Sequence, residues 1–388
     1  MSDAADLHLF ERRSRSCRLA GDEVRYLVEH HRAAVDLAPT ACRGVWRVTA
    51  RGVVGVLHTP RRRVVISPKM PIATLLFFLD PTATVEDVPG RVTGEAVLQL
   101  LAARLADLMR ERARAGLHRG YRSRNHEGPV LLGALDVAAQ VRQPVGRRDR
   151  LHGRFEELTV DVECNQLPRA VAGWALRSGV LDPSTQEHLH QAVAGFAGVA
   201  DLPWMDLLDH RLTRLPEPAG YAPLLDLCRV LVGVPGGPGD RRCWLVSLER
   251  VFERFLGRAV EEAIRDRAGL SVQSQAGFAV GESPGLLLRP DITILRAGRP
   301  EAVVDAKWKR LPEEGQIPED VYQALAYACF LGTRRAVLVY PGRRRVVRRF
   351  TPPGGGACVE VRTVVVSGSP ARCLRERQRL QRALLRGV

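Results

Sequence analysis

The sequence predicts an α/β protein. Its C-terminal part is expected to hold a central mixed sheet flanked by helices, preceded by an α+β N-terminal region with a small β-rich module. Three observations predict this. From Cys243 onward, short β-branched runs alternate with helical stripes, the pattern of a sheet covered on its faces. Between Arg289 and Arg310, two apolar runs, Ile292–Leu295 and Ala302–Val304, are joined by Ala297-Gly298-Arg299-Pro300, the punctuation of a β-hairpin. Residues 1–80 hold several short extended runs separated by turns.

Taken in order, Leu7–Arg13 alternates, Glu23–His30 is helical and Val35–Leu37 is extended. Gly44–Ala50, Gly52–His58 and Arg63–Ser67 read as strands. Pro71 is suited to opening a short helix through Phe78, before Pro81. Residues 80–90 are a turn-rich connector. Thr93 caps a helix running to about Gly116, with Val97, Leu100, Leu101, Leu105, Leu108 and Met109 at helical spacing. Gly120–Ala139 is expected to be extended and Val141–Arg154 to be a basic loop. Leu167–Arg177, Ser184–Phe196 and Tyr221–Val232 read as helices, and Leu202–Leu215 is ambiguous.

Gly233–Gly239 is a Gly/Pro-rich link. The expected division is 1–215, with its β-rich module at 1–80 and a helical/β part at 90–215, followed by 216–388. In the latter, Leu248–Ile264 carries an amphipathic stripe and Leu270–Gln273 is a strand. The hairpin follows, then a helix from Pro318 to Leu331 and a strand at Ala336–Tyr340. A strand at Val359–Val366 and a helix at Ala371–Leu385 complete the pattern.

A chain of 388 residues is long enough for two or three domains. Its net charge of +15 and pI of 10.2 point to a polyanionic partner. The positive charge is nearly all arginine: Lys69, Lys307 and Lys309 are the three lysines. Two of them fall inside the hairpin stretch, where a compact amine is not interchangeable with a guanidinium. The eight cysteines form no CxxC pair, and no His stands at zinc-ligand spacing; buried free thiols in a reducing cytosol are expected. No signal-like segment or membrane-length apolar run is visible, which predicts a cytoplasmic protein. The Gly-rich segments Gly233–Gly239 and Gly354–Gly356 lack the Lys-Ser/Thr of a P-loop. Neither G-x-S-x-G nor H-E-x-x-H occurs.

The hairpin carries the chemistry. If its loop is three residues centred on Gly298, Asp291 pairs with Asp305. Side chains alternate along a strand, so Asp305 and Lys307 share a face. Glu253, on the preceding helix, can add a third carboxylate. Oxygen ligands of this kind suit Mg²⁺, with Mn²⁺ as the alternative, and the Ala306 carbonyl is a further candidate ligand. Metal, water and ammonium together can hydrolyse a phosphodiester. Gln323, with Tyr327 one turn on, can position a water or a phosphate. In the bland reading these are surface turn and helix residues. Arg343, Arg344, Arg345, Arg348 and Arg349 either contact DNA phosphates or form a solvated strand end. Arg61, Arg62 and Arg63 are candidates for a nucleic-acid or acidic-partner contact.

Together RPD…VVDAKWK, the preceding VFERFLG and the following DVYQALAYA resemble the PD-(D/E)XK nuclease fold. GVVGVLHTPRRRVVISPKMPIATLLFFL and LHGRFEELTVDVECNQLPRAVAGWAL resemble segments of the McrC family, the nuclease subunits of McrBC-type modification-dependent restriction systems. These matches run from residue 52 to 330. The resemblance implies a Mg²⁺-dependent endonuclease acting on double-stranded, modified DNA. It implies a hetero-oligomer with a McrB-type AAA+ GTPase, whose hydrolysis the subunit stimulates through its N-terminal half, where Arg61–Arg63 and Lys69 are candidate contacts. By motif, Asp291 and Asp305 become metal ligands, Lys307 the catalytic lysine, Glu253 the acid of the first motif and Gln323 the helix glutamine. Gln166 departs from the pattern, following Asn165 where a basic residue is expected. The competing readings are a non-cleaving subunit that activates the GTPase ring and a stand-alone structure-specific nuclease.

Overall fold

The computed structural model describes residues 5–69, 72–79, 93–143, 149–203, 217–232, 243–280, 287–312, 317–352, 355–365 and 370–387. The expected connector at 80–90, the link at Gly233–Gly239 and most of Leu202–Leu215 lie outside them. Two compact units form. One gathers Met1–Val97, Gly233–Pro238 and Leu245–Val388; the other gathers Leu98–Val232 and Gly239–Trp244.

The first unit begins with β1 (Leu7–Phe10), β2 (Ser14–Arg18), α1 (Gly21–His30), β3 (Val35–Pro39), β4 (Val45–Ala50), β5 (Val53–His58), β6 (Arg63–Ser67) and α2 (Ile72–Leu79). β4 pairs antiparallel with β2 and β3. β6 pairs parallel with β1 and antiparallel with β5. β2 escapes the sequence reading because Ser14-Arg15-Ser16-Cys17-Arg18 is mostly exposed and offers no apolar alternation.

The second unit holds α3 (Gly94–Arg114, whose first turn belongs to the first unit), β7 (Gly120–Gly128), β8 (Ala134–Leu135), α4 (Val137–Val141), β9 (Leu151–Thr159), α5 (Glu163–Arg177), α6 (Pro183–Ala194) and α7 (Ala222–Val232). Two expectations are corrected. Gly120–Ala139 is not extended throughout, because Asp136 caps the short α4 through the Ala139 N–H. The expected loop Val141–Arg154 ends in β9, which pairs with β7 over nine residues. The exposed face of β9 hides its period. α5 also starts earlier than Leu167. Its buried Asn165 donates to the carbonyls of His118 and Val160 and accepts from the Tyr221 hydroxyl. Gln166 donates to Asp161, which also accepts from Ala200 N–H and Arg122. The residues around the motif departure therefore form a satisfied polar core.

The first unit resumes with β10 (Trp244–Ser247, whose first residue belongs to the second unit), α8 (Leu248–Ile264), β11 (Leu270–Ser274), β12 (Phe278–Ala279), β13 (Leu287–Leu288), β14 (Ile292–Arg296) and β15 (Arg299–Ala306). Then come α9 (Pro318–Phe330), β16 (Arg335–Gly342), β17 (Val347–Phe350), β18 (Cys358–Val365) and α10 (Pro370–Leu384). β10 joins the edge of the sheet beside β5. A six-stranded sheet runs β11-β14-β15-β16-β18-β17. β15, β16 and β18 are parallel, and the remaining pairs are antiparallel. This is the expected mixed sheet.

α9 covers one face: Val321, Ala324 and Ala328 meet Val303, Leu338, Tyr340, Val359 and Val361. α8 lies against β11 and β15 and buries Val251, Phe252, Phe255, Ala259 and Val260. Phe78 of α2 packs on Phe252, Phe255 and Trp308, with ring centroids 4.8–6.0 Å apart. None of the eight cysteines forms a disulfide, but only Cys164, Cys228, Cys243 and Cys373 are buried. Among the described residues no helix is long and apolar enough to cross a membrane.

Candidate active site

The turn between β14 and β15 is tighter than expected. Ala297 and Gly298 both have positive φ, 48° and 79°, so the loop has two residues, a hairpin geometry that favours glycine. Arg296 pairs with Arg299, but the register shifts beyond Leu295, so that Ile294 pairs with Ala302. Glu301 is the extra residue of this bulge. The bulge restores the register a three-residue loop would have given. Ile292 faces Val304, and the next positions on the two strands are Asp291 and Asp305.

Asp305 is 4% exposed and lies on the face of β15 that carries Val303, under α9. Its Oδ2 is 2.5 Å from Lys307 Nζ and, among the described residues, has no aligned hydrogen-bond donor. Lys307 Nζ also donates to Gln323 Oε1 on α9, at 2.6 Å. The Lys307 backbone N–H bonds to Val339 O, which fixes the strand end. Gln323 Nε2 donates to the Tyr327 hydroxyl at 3.2 Å, and that hydroxyl donates to Arg289 O. Asp291 Oδ2 accepts from the Ala306 N–H at 2.8 Å.

Gln275 was not singled out from the sequence, where nothing in Ser274-Gln275-Ala276-Gly277 marks it. Its amide nitrogen donates to Asp291 Oδ1 at 2.7 Å and to Glu253 Oε2 at 3.3 Å. Its φ of 53° is rare for a residue with a side chain, and its backbone N–H bonds to Asp291 O. Thus Asp291, Asp305, Lys307 and Gln323 converge directly, and Glu253 reaches them across the Gln275 amide. Among the described residues, no three or more His, Cys, Asp or Glu side chains close into a ready-made metal cage.

The electrostatics match this crowding. Burial, then the charges of Asp305 and Glu253, holds the Asp291 carboxyl well above the usual range, against its bonds to Ala306 and Gln275. Burial, then Glu249, raises Glu253 to about 6, with Asp305 adding to it. Burial, the largest single influence, works to lower the Lys307 ammonium, but the charge and hydrogen bond of Asp305, with the charges of Asp320 and Asp291, together outweigh it and the net shift is upward. Acids raised in the folded state bind protons more tightly there than in the unfolded chain. The stability they lend is complete below the ordinary carboxylate pKa of about 4 and is lost as pH rises through their folded values. Metal-free protein is therefore expected to melt at a lower temperature at pH 8 than at pH 5.5. Mg²⁺ should raise the melting temperature most at pH 8, and Asp291→Asn should flatten both trends. Thermal melts in EDTA and in Mg²⁺ check this.

Other expected residues are placed differently. Asp320 lies in the first turn of α9, 7% exposed, where it accepts from Lys309 Nζ at 2.9 Å and from the Tyr340 hydroxyl. Arg61 pairs with Asp22, Arg62 with the fully buried Glu23, and Arg63 with Asp6 and Glu95. Lys69 Nζ donates to Arg12 O. Arg343, Arg344 and Arg345 are exposed beyond β16, while Arg348 donates to Pro312 O and Arg349 pairs with Glu360.

Two further residues tie the site to the N-terminal strands. Trp308, next to Lys307 and 8% exposed, donates its indole N–H to Oε1 of the buried Glu11 at 2.6 Å. Arg12 pairs with Glu249, one turn before Glu253.

A family model described as McrBC 5-methylcytosine restriction system component matches residues 48–341. Two solved structures, both from Thermococcus gammatolerans, are similar. The refined half-complex from a tetradecameric assembly of McrB AAA+ hexamers with bound McrC contains a chain 16% identical to this one. The match covers 98% of this chain and 100% of that one, with a TM-score of 0.50. The cryo-EM structure of the McrBC complex contains a chain 19% identical, with 67% and 88% covered and a TM-score of 0.40. At this identity the first likeness concerns the fold alone. Among curated proteins, none matches significantly.

Proposed function

The chain belongs to the family of McrBC 5-methylcytosine restriction system components, and from that premise we propose that it is the McrC-type subunit carrying a PD-(D/E)XK nuclease site. The observation that carries this is the meeting of Asp291, Asp305 and Lys307 at one buried strand end, with Gln323 on the Lys307 ammonium. Surface turn residues would not leave Asp305 buried, nor Asp291 raised by burial and by the Asp305 charge.

The donor set fits a hard divalent cation. Asp305 Oδ2 lacks an aligned donor, and three carboxylates crowd with one lysine and one neutral amide between them. Asp291 and Asp305 would hold Mg²⁺ or Mn²⁺, with Glu253 completing the set; the ion would supply charge relief and an activated water. Lys307, held in its charged form by Asp305, orients the attacking water and neutralises charge on the phosphate. Gln323 holds the lysine in that position and offers its amide to the same phosphate. Lys309, paired with Asp320, is outside this group.

In the Thermococcus gammatolerans assembly McrC is bound to McrB AAA+ hexamers. We take a McrB-type GTPase as this chain's partner too, in a hetero-oligomer whose target is modified double-stranded DNA. The region 1–215 is our candidate for the partner contact. Purified subunit, mixed with its McrB-type partner, GTP and Mg²⁺, is expected to cut methylated duplex DNA, and neither protein alone should do so. GTPase stimulation without any cleavage would favour the regulatory subunit. Cleavage by the subunit alone would favour the stand-alone nuclease.

A further inference from the structure

Along the far edge of the six-stranded sheet, β17, β18 and α10 enclose a cleft of about 560 Å³. Its charged walls follow from simple periodicities. Arg345, Val347 and Arg349 are two residues apart and face one side of β17 and its approach. Arg362 of β18, paired with Val347, forms the floor. Arg379, Arg382 and Arg386 stand at i, i+3 and i+7 on one stripe of α10 and its C-terminal turn. Six arginines thus meet Glu376 as the one acid on the walls.

Arginine is abundant throughout this chain, so number alone carries little weight; pairing carries more. In the N-terminal module Arg51, Arg61, Arg62 and Arg63 each meet a carboxylate at 2.9 Å or less. In the cleft, Glu376 pairs with Arg379, while the buried Glu360 is shared by Arg362, Arg349 and Arg335. Arg345, Arg382 and Arg386 have no ion pair among the described residues. Burial, and after it the charges of Arg335, Arg349, Arg386 and Arg345, hold the Arg362 pKa below its usual value even with Glu360 beside it. The helix end does not offset it either. Arg335 occupies the Ala383, Leu384 and Arg386 carbonyls, so the negative end of the α10 dipole is already neutralised. Converging guanidiniums in a concave site match the oxygens of several successive phosphates.

We propose that this cleft is a second anion site that binds a chain of phosphates, in the first place the backbone of a DNA strand. It includes Arg362, Arg379, Arg382 and Arg386, which the Arg343–Arg349 run did not suggest. The choice of DNA as ligand rests on the nuclease reading; the phosphate site itself does not.

The test is fluorescence anisotropy with full-length protein and a labelled duplex in EDTA, where no cleavage occurs, across a range of salt. R345Q/R382Q/R386Q is compared with R25Q/R43Q/R47Q, which removes the same charge from exposed positions of the N-terminal module. The cleft variant is expected to weaken binding about tenfold or more and to lower the salt slope by about three; the control should do neither. A second arm uses inorganic tripolyphosphate as competitor. Displacement of DNA by tripolyphosphate, lost with the cleft variant, supports the same site. Binding of tripolyphosphate but not DNA to the cleft keeps the phosphate site and assigns it to a free polyphosphate. Equal loss in both triple variants, or no loss in the cleft variant in either arm, overturns the proposal. Because metal is absent, failure here is distinct from failure of the nuclease reading.

Discussion

Asp305→Asn and Lys307→Ala are each expected to slow DNA cleavage by the reconstituted pair about 10²- to 10³-fold or more, while stimulation of the partner's GTP hydrolysis stays intact. The two losses differ in cause. Asp305→Asn removes an anionic oxygen from the cation's candidate ligands and the counter-charge from Lys307. Lys307→Ala leaves Asp305, 4% exposed, without its ammonium, and stranding one partner of a buried pair is costly to the fold. The pair Asp305→Asn with Lys307→Met removes both charges at nearly constant volume. It separates lost chemistry from lost stability: it should melt close to wild type in EDTA and still fail to cut. Cleavage surviving in that double variant would sink the site assignment.

The second large effect is on stability. Trp308→Ala is expected to cost about 3–5 kcal/mol in urea denaturation, the usual range for an aromatic side chain truncated in a core. Trp308 packs edge-on against Phe78 and lies 5.6 Å from the Phe252 ring centroid. Trp308→Phe keeps much of that packing but takes the indole bond from the buried Glu11 carboxylate, which retains Arg12 at 3.9 Å, for about 1–3 kcal/mol. Burial already raises the Glu11 pKa, opposed first by the indole bond. A raised acid destabilises the fold as pH climbs past its ordinary value, so the Trp308→Phe penalty should be larger at pH 8 than at pH 5.5. Glu11→Gln should suppress that pH dependence. Equal penalties at both pH values would show that Glu11 is not the group that carries the loss.

The sequence made the hairpin legible because three local signals agreed: β-branched runs, a glycine that tolerates positive φ, and acids placed at the strand ends. It was right about the register for a partly wrong reason, since a two-residue turn and a bulge at Glu301 add up to the three-residue loop expected. α8 and α9 were legible by their stripes. What stayed hidden lacked a period or depended on distant partners. β2 and β9 are largely exposed, so neither shows alternation. β17 lay inside a basic run that was read for its charge. Gln275 and Glu11 are ordinary polar residues in sequence, and their roles exist only once Asp291 and Trp308 are brought to them. The arginine cleft joins residues from a strand approach, a neighbouring strand and a helix, so its charge is spread over more than forty positions of sequence.

The hydrogen bond from Trp308 to Glu11 spans 297 positions. During synthesis at about 5–20 residues per second, Glu11 therefore waits roughly 15–60 s for its partner to emerge. Until then the turn after β1 is an unsealed, solvated anion beside a half-finished core. The compact unit that holds the strand end at Asp305 combines residues 1–97 with 245–388, so it cannot close before both stretches exist. Such long-range closure is slow. A ribosome-bound chain should thus keep this buried pair open until the hairpin and the residues just after it have emerged.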